Sequence, residues 1–194
     1  MKAKYLGNSP AAWALLLVNI VVFAALRIFP SLTDAFLLEP SLALERPWTL
    51  LTVCFSHELL IHMLLNMFLV LIFGARLEKE TNAGVMLTVC VVCGFIGSLG
   101  TIAYAAAIGY QGAPIAGASA SAFGLAAAYA ALRPKAVVLK SKAVHWVAAL
   151  FVVNALLTVQ NPQVSIGGPA HAVGIVIGLI VGYLLRKEYG TIQA

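Results

Sequence analysis

One serine and one histidine lie where covalent chemistry is possible. Ser119 sits in the run GASASAFG at 117–124, whose small side chains leave a hydroxyl accessible to a partner. The same composition suits two helices that approach closely, so the serine alone leaves a nucleophile and a packing contact both open. His171, in PAHAVG at 169–174, is an ionisable residue in an apolar stretch, which is costly and usually functional. Taken alone, it could equally hydrogen-bond a loop carbonyl.

The spacing of small residues relates the two. Glycines recur every four residues over 174–182, and alanines fill the stretch after Ser119. Such stripes let two helices pack closely, and if these helices run in the same direction, Ser119 and His171 lie at the same depth. A neutral imidazole there takes the hydroxyl proton as the serine attacks a carbonyl, then returns it to the leaving amine. Asp34, the only aspartate, lies in a polar connection, so the sequence predicts a Ser–His dyad without an acidic third member.

Polar residues near the start of another apolar stretch could stabilise the charge that develops in such a reaction. His62 and Asn66 are four apart and share one helix face, which must point into the protein because lipid solvates polar groups poorly. They either donate to an oxyanion or join two helices by an ordinary hydrogen bond. His57, five residues before His62, is predicted to face elsewhere and to hold a loop or a water molecule.

Other catalytic chemistries fail on residue type or spacing. The segment HELLIH at 57–62 resembles the zinc motif HExxH but has one residue too many for both histidines to share a face. An intramembrane aspartic protease needs two buried aspartates, and a soluble hydrolase elbow needs a strand before the serine and a glycine two residues after it. Cys54, Cys90 and Cys93 are interpreted as small buried hydrophobic residues rather than a metal or redox site. The sequence predicts neither a metal nor a cofactor.

The elements that position these residues are expected to fold in a lipid bilayer. Hydrophobic residues make up 62% of the chain, and its mean hydropathy is +0.98. Charged residues make up only 10%, against about 25% in a soluble domain. The sequence therefore predicts an all-α membrane protein with a single domain over residues 1–194. The net charge of +5 is spread over several connections. This distribution fits the positive-inside rule of membrane proteins better than binding to a nucleic acid.

Six segments are long and apolar enough to span a membrane, at 11–29, 54–73, 84–108, 115–132, 143–159 and 168–185. Ten of the twelve lysines and arginines fall on one side of the resulting arrangement. This asymmetry predicts cytoplasmic termini, with the second, fourth and sixth spans running inward. The connection at 30–53 is predicted to lie in the outer interface with Trp48 as an anchor. The uncharged connection at 160–167 is predicted to be mobile.

With these motifs in order, the chain resembles the rhomboid intramembrane serine proteases over nearly all of its length. The pattern H-x4-H-x3-N at 57–66 resembles that family's histidine–asparagine motif, and GARLE at 74–78 follows at the expected distance. GASA at 117–120 resembles the family's GxSG serine motif, and AHxxG at 170–174 resembles its last-helix motif. Each motif is weak alone, and their order makes the resemblance strong.

The resemblance implies a six-transmembrane-helix rhomboid-like bundle with Ser119 as nucleophile and His171 as base. It implies that His62, Asn66 and the Ser119 backbone amide donate to the oxyanion. Gly117, His57 and Phe123 are predicted to support the site. The aromatic ring of Phe123 is predicted to pack on the base. The first connection and the fifth span match the family's membrane-embedded loop and its proposed substrate gate.

Two departures from the family pattern stand out. Ala120 replaces the glycine that follows the serine, a change that does not exclude activity. The usual Trp-Arg near the end of the first connection is here Arg46-Pro47-Trp48, which puts the loop contact of that arginine in question.

The predicted function is that of a serine endopeptidase in a multi-pass cell-membrane protein. It would hydrolyse peptide bonds in or near the transmembrane segments of membrane-protein substrates, with the lipid bilayer as its other partner. The alternative is a catalytically inactive rhomboid-like protein that binds membrane helices, against which the presence of both Ser119 and His171 argues. A small transporter with His62, Asn66 and His171 as a polar pathway would be expected to carry an internal repeat, and none is evident.

Overall fold

A computed structural model of the chain describes residues 7–189, which form a helical bundle. Its six longest helices are α1 (Pro10–Ile28), α2 (Leu60–Glu80), α3 (Ala83–Ile108), α4 (Ser119–Leu132), α5 (Ala143–Gln160) and α6 (Gly168–Tyr189). A π-helical stretch, Val70–Gly74, lies within α2. Two-residue strands, β1 (Val137–Val138) and β2 (Ser141–Lys142), form an antiparallel hairpin between α4 and α5. The described chain is therefore a helical membrane bundle with one small hairpin.

The connection between α1 and α2 is a series of short helical turns: Pro30–Leu32, Thr33–Phe36, Pro40–Leu42, Thr49–Thr52 and Val53–Phe55. It is tied to the connection before α4, because Leu38 and Ile115 exchange backbone hydrogen bonds of 2.9 and 2.8 Å. Arg46 pairs with Asp34 at 2.8 Å inside the same connection, and Trp48 is half exposed. Arg46 belongs to the Arg-Pro-Trp sequence that departs from the family pattern, and it thus has a partner within its own loop.

The second helix begins and ends later than the predicted span at 54–73. Residues 56–59 precede the helix, which continues through a polar C-terminal end. That end is buried, and the Glu78 carboxylate accepts the backbone N–H groups of Ala11 and Ala12 at 3.0 and 2.9 Å. The carboxylate therefore satisfies free donors at the start of α1. The predicted span ends before the helix does, because hydropathy does not reveal the partners that a polar residue can find inside the protein.

The fourth helix is shorter than the predicted span at 115–132. It begins at Ser119, because Gly117 has a φ of +146° and Ile115 is engaged in the bridge to Leu38. Its 14 residues rise about 21 Å, whereas the hydrocarbon core of a bilayer is about 30 Å thick. The described structure therefore contains five helices long and apolar enough to cross a membrane, together with a short central helix.

Helices α4 and α6 lie side by side along their length. A Cβ on the glycines of the α6 stripe would collide with the α4 backbone. The facing pairs are Gly174 with Ala120, Gly178 with Gly124, and Gly182 with Ala128. This confirms the predicted contact between the two helices through small residues. α4 is almost entirely enclosed and forms the centre of the core.

The two helices are also parallel, as predicted. Ser119 meets His171 at one end, and the guanidinium of Arg133 donates to the Tyr189 carbonyl at the other. The Arg133 end carries a cavity whose basic lining residues are Arg76, Arg133, Lys135 and Arg186. Part of the positive charge expected at one side of the bundle is therefore gathered there. Lys2 and Lys4, which the prediction placed at the same side, lie outside the described residues.

Candidate active site

The close approach of α4 and α6 brings the predicted nucleophile and base together. Ser119 is the first residue of α4, and His171 lies in the first turn of α6. The Oγ of Ser119 is 2.6 Å from Nε2 of His171, a strong hydrogen-bond distance. Both side chains are partly exposed rather than sealed in the core. Gly174 permits this contact, because a side chain there would push α6 away from the backbone of Ala120.

The second serine of the motif has a different environment. Ser121 is fully buried, and its hydroxyl donates to the Cys90 carbonyl of α3 at 2.7 Å. Cys54, Cys90 and Cys93 are free thiols inside the core. Two residues along a helix turn the side chain by about 200°, so Ser121 faces α3 when Ser119 faces α6.

The imidazole of His171 makes two further contacts. The ring of Phe123, one turn after the serine, lies 4.5 Å from it between centroids at an angle of 34°. Its Nδ1 lies 2.6 Å from Oδ1 of Asn154 on α5, whose amide nitrogen donates to the Gly168 carbonyl at 2.9 Å. Sequence reasoning did not single out this asparagine as a site residue. The signal in the sequence was a polar side chain in an apolar helix. Such a side chain needs a partner, but the sequence does not identify it.

His62 reaches the same site from α2. A Cβ on Gly117 would lie 2.7 Å from the His62 ring and 3.6 Å from Oγ of Ser119. The missing side chain and the positive φ of Gly117 therefore allow the imidazole to lie beside the serine. His62 also lines the cavity that contains Ser119 and His171. The structure thus places one of the two predicted oxyanion donors beside the predicted nucleophile and base.

Asn66, the other predicted donor, lies deeper and contacts His57. Its Nδ2 is 2.9 Å from Nε2 of His57, which also accepts the backbone N–H of Ala118 at 3.4 Å. The prediction that His57 faces away from His62 and Asn66 was wrong, since its ring also packs edge-on against His62 at 5.2 Å. Helical periodicity does not predict the direction of the His57 side chain, because residues 56–59 precede α2.

Buried His57 is neutral in this arrangement. Burial, and to a smaller extent the neighbouring His62, lowers the pKa of His57 from 6.5 to about 3. Because two N–H groups point at its Nε2, the ring proton resides on Nδ1. His57 therefore acts as an acceptor that ties α2 to the residue preceding Ser119.

A cavity of about 370 Å³ surrounds the Ser119–His171 pair. Its wall includes His62, Asn154 and, from the loops at this end of the bundle, Glu58 and Tyr110. Asn66 is not part of that wall in the described portion of the chain. The arrangement brings a hydroxyl and two imidazoles into one polar space, and these are the kinds of group that nucleophilic attack on a carbonyl uses. Within residues 7–189, no group of three or more potential ligands is placed to hold a metal ion.

Comparison with known proteins agrees with the motifs. A family model for the Rhomboid domain matches residues 44–188. The chain is also 30% identical over 143 residues to RHOMBOID-like protein 6, mitochondrial, of Arabidopsis thaliana. That match covers 73% of this chain and 44% of the relative, so the chain spans less than half the relative's length. Because the family model covers most of the chain and all of the predicted site residues, this membrane protein belongs to the rhomboid family.

Proposed function

We propose that the protein is an intramembrane serine protease that uses Ser119 as nucleophile and His171 as base. The observation that carries the proposal is the 2.6 Å contact between Oγ and Nε2 inside a cavity lined by polar groups. An inactive member of the family needs neither the pair nor the space around it. Family membership supports the same reaction class, since the motif residues all lie within the matched region.

In the proposed reaction, Nε2 of His171 removes the hydroxyl proton as Oγ of Ser119 bonds to the scissile carbonyl carbon. The tetrahedral intermediate collapses when the imidazolium gives this proton to the leaving amine. Water from the cavity then attacks the acyl-enzyme, with His171 again accepting a proton and returning it to Oγ. The ring of Phe123 restricts the imidazole to one orientation during both steps.

The oxyanion is proposed to form between α2 and the start of α4. The first backbone N–H groups of a helix have no intrahelical acceptor, and the helix dipole favours negative charge at this end. Ser119 is the first residue of α4, so its own amide is suitably placed, and His62 contributes a side-chain donor. Asn66 is retained as a second donor: its amide nitrogen carries two N–H groups, of which one donates to His57, and the side chain would have to move to reach the cavity.

The proposed substrates are membrane proteins cut in or near a transmembrane segment. They are proposed to enter beside α5, which is less buried than the other helices that line the site. An apolar pocket of about 280 Å³ lies between Phe123 and α5 and also reaches His171. Its wall includes Trp146, Leu150 and Val153, which an apolar side chain of a substrate could contact.

The decisive experiment is labelling by a fluorophosphonate, together with cleavage of a transmembrane substrate in liposomes. Ser119→Ala and His171→Ala should abolish both signals. Ser121→Ala is the matched control and should keep them, because that hydroxyl serves the Cys90 carbonyl inside the core. Labelling of Ser119→Ala together with loss in Ser121→Ala would assign the wrong serine. Absence of labelling and cleavage in the wild-type protein would favour the inactive alternative.

A six-span arrangement with cytoplasmic termini is part of the proposal. α4 would act as the fourth span, starting below the outer surface at the depth of the cavity. A cysteine at Lys140 should then react only with reagents on the cytoplasmic side, and one at Asn161 only from the opposite side. Labelling of position 140 from outside would overturn the orientation without affecting the assignment of the serine.

A further inference from the structure

The base has a second hydrogen-bond partner on a helix that contributes little else to the core. Nδ1 of His171 is 2.6 Å from Oδ1 of Asn154. Asn154 is one of only three buried residues of α5, with Ala143 and Val147 at the other end of that helix. Because polar groups are costly in an apolar region, a contact this short indicates a role beyond packing.

The orientation of the Asn154 amide follows from its other bond. Nδ2 donates to the carbonyl of Gly168 at 2.9 Å, and a carbonyl can only accept, so this end of the amide must be the nitrogen. Oδ1 is thereby turned towards His171. Because Oδ1 also can only accept, Nδ1 of His171 must carry the proton, and Nε2 is left with the lone pair that Ser119 requires.

We infer that Asn154 is a positioning residue that holds His171 in the Nδ1–H tautomer, so that the base is competent only while α5 is docked against α6. The inference rests on the proposed function. An amide with the reverse orientation would favour the opposite tautomer, an error that costs roughly 10⁴ in turnover in a serine protease. A neutral amide also avoids the cost of placing a carboxylate in an apolar bundle.

The dependence on docking follows from how α5 is held near the site. Gly168, at the start of α6, has no room for a Cβ because Thr158 of α5 lies against it. Asn154 and Thr158 are one turn apart and therefore form a single contact with the start of α6. Elsewhere this half of α5 is open, and Val153 and Leu156 are each more than half exposed. A displacement of α5 large enough to open this contact separates Oδ1 from Nδ1.

The test compares Asn154→Leu, which removes the acceptor at similar volume, with Asn154→Asp, which keeps one. Asn19→Leu is the matched control, since Asn19 is another buried asparagine and donates within α1 to the Leu15 carbonyl. We expect Asn154→Leu to lower kcat by about 10²-fold or more with KM nearly unchanged, a usual size for general-base effects. Asn154→Asp should retain much more activity, and Asn19→Leu should cleave normally.

Imidazole ¹⁵N spectra provide a readout that does not depend on cleavage. The wild-type protein should show His171 as the Nδ1–H tautomer, and Asn154→Leu should show a mixture. A wild-type kcat and an unchanged spectrum in Asn154→Leu would overturn the inference. Equal losses in the Leu and Asp variants with equally lowered melting temperatures would also overturn it, since that is the pattern of a purely structural contact. If Ser119→Ala still cleaves, the proposed function fails, whatever Asn154 does.

A separate variant tests whether the base depends on docking of α5 against α6. Gly168→Ala should push Thr158 and α5 outward, giving the tautomer mixture although Asn154 is still present. Adding Thr158→Ala removes the hydroxyl and methyl groups that the new Cβ meets, and should recover part of the lost activity. A normal tautomer in Gly168→Ala would show that the base is set independently of α5 docking.

Discussion

Helices α4 and α5 both contact His171, the proposed base, and they differ in how they are held. α4 is 14 residues long and has 11 buried residues, whereas α5 is 18 residues long and has three. α4 presents Ser119 from the centre of the bundle, and α5 presents Asn154 from its edge. Both are mostly apolar, so hydrophobicity alone does not distinguish them.

The two helices are held against α6 by different kinds of contact. The carbonyls of α4 touch the glycines of α6, and interlocked backbones cannot shift without disrupting the core. α5 is joined to α6 by side-chain hydrogen bonds, which can break and re-form at a cost of about 1 kcal/mol each. The proposed nucleophile is therefore held by interlocked backbones, while Asn154, which we infer orients the base, lies on the least buried of the candidate membrane-spanning helices.

The largest expected effect comes from disrupting the α4–α6 contact. Gly178→Val places a side chain against the Gly124 carbonyl and Ala127, where the backbone cannot yield. The loss of stability should be on the order of 3 kcal/mol or greater, with loss of cleavage. The control on α5, Leu156→Ala, removes a side chain that is 57% exposed and should leave thermal unfolding in detergent nearly unchanged. Similar melting temperatures for the two variants would remove the contrast between the helices.

The next largest effect concerns the proposed oxyanion donors of α2, His62 and Asn66. His62→Ala should lower turnover by roughly 10²–10³-fold with little change in KM, as for loss of one oxyanion donor. Asn66→Ala should lose turnover by a similar factor, and its melting temperature should also fall because the bond to His57 is lost. His57→Ala should mainly lower the melting temperature.

Kinetics and thermal unfolding of the three variants separate these roles. If Asn66→Ala turns over normally, or loses activity only because the bundle unfolds, Asn66 is a structural partner of His57. The oxyanion would then depend on His62 and the backbone of α4.

The smallest effect is expected from restraining the edge helix. Cysteines at Val153 of α5 and Leu64 of α2, joined by a bis-maleimide, should slow cleavage of a membrane-embedded substrate several-fold. The native cysteines are buried and should not react. Labelling by a small fluorophosphonate is the control and should continue, because a small probe can reach Ser119 without movement of α5. Unchanged cleavage after complete crosslinking would contradict entry beside α5.

Much of the architecture was predictable because it depends on local composition. Long apolar runs indicated a bilayer bundle, and the four-residue glycine spacing predicted the α4–α6 contact that places Ser119 at the level of His171. The π-helical stretch of α2 and the short α4 were not predictable from hydropathy. A polar helix end can be buried when it finds partners, as Glu78 does at the start of α1, and a span can begin below the surface when Gly117 stops the helix.

Composition and the order of the motifs were enough to predict a membrane protein of the rhomboid family and to name its candidate reactive residues. The partners of the polar groups became clear only from the packed structure, in which Asn154 contacts His171 and Asn66 contacts His57. The physical reason is that a polar side chain in an apolar segment must be satisfied, and composition states that need without its direction. The direction depends on the rotation of each helix about its axis, which is set by packing against residues distant in the chain.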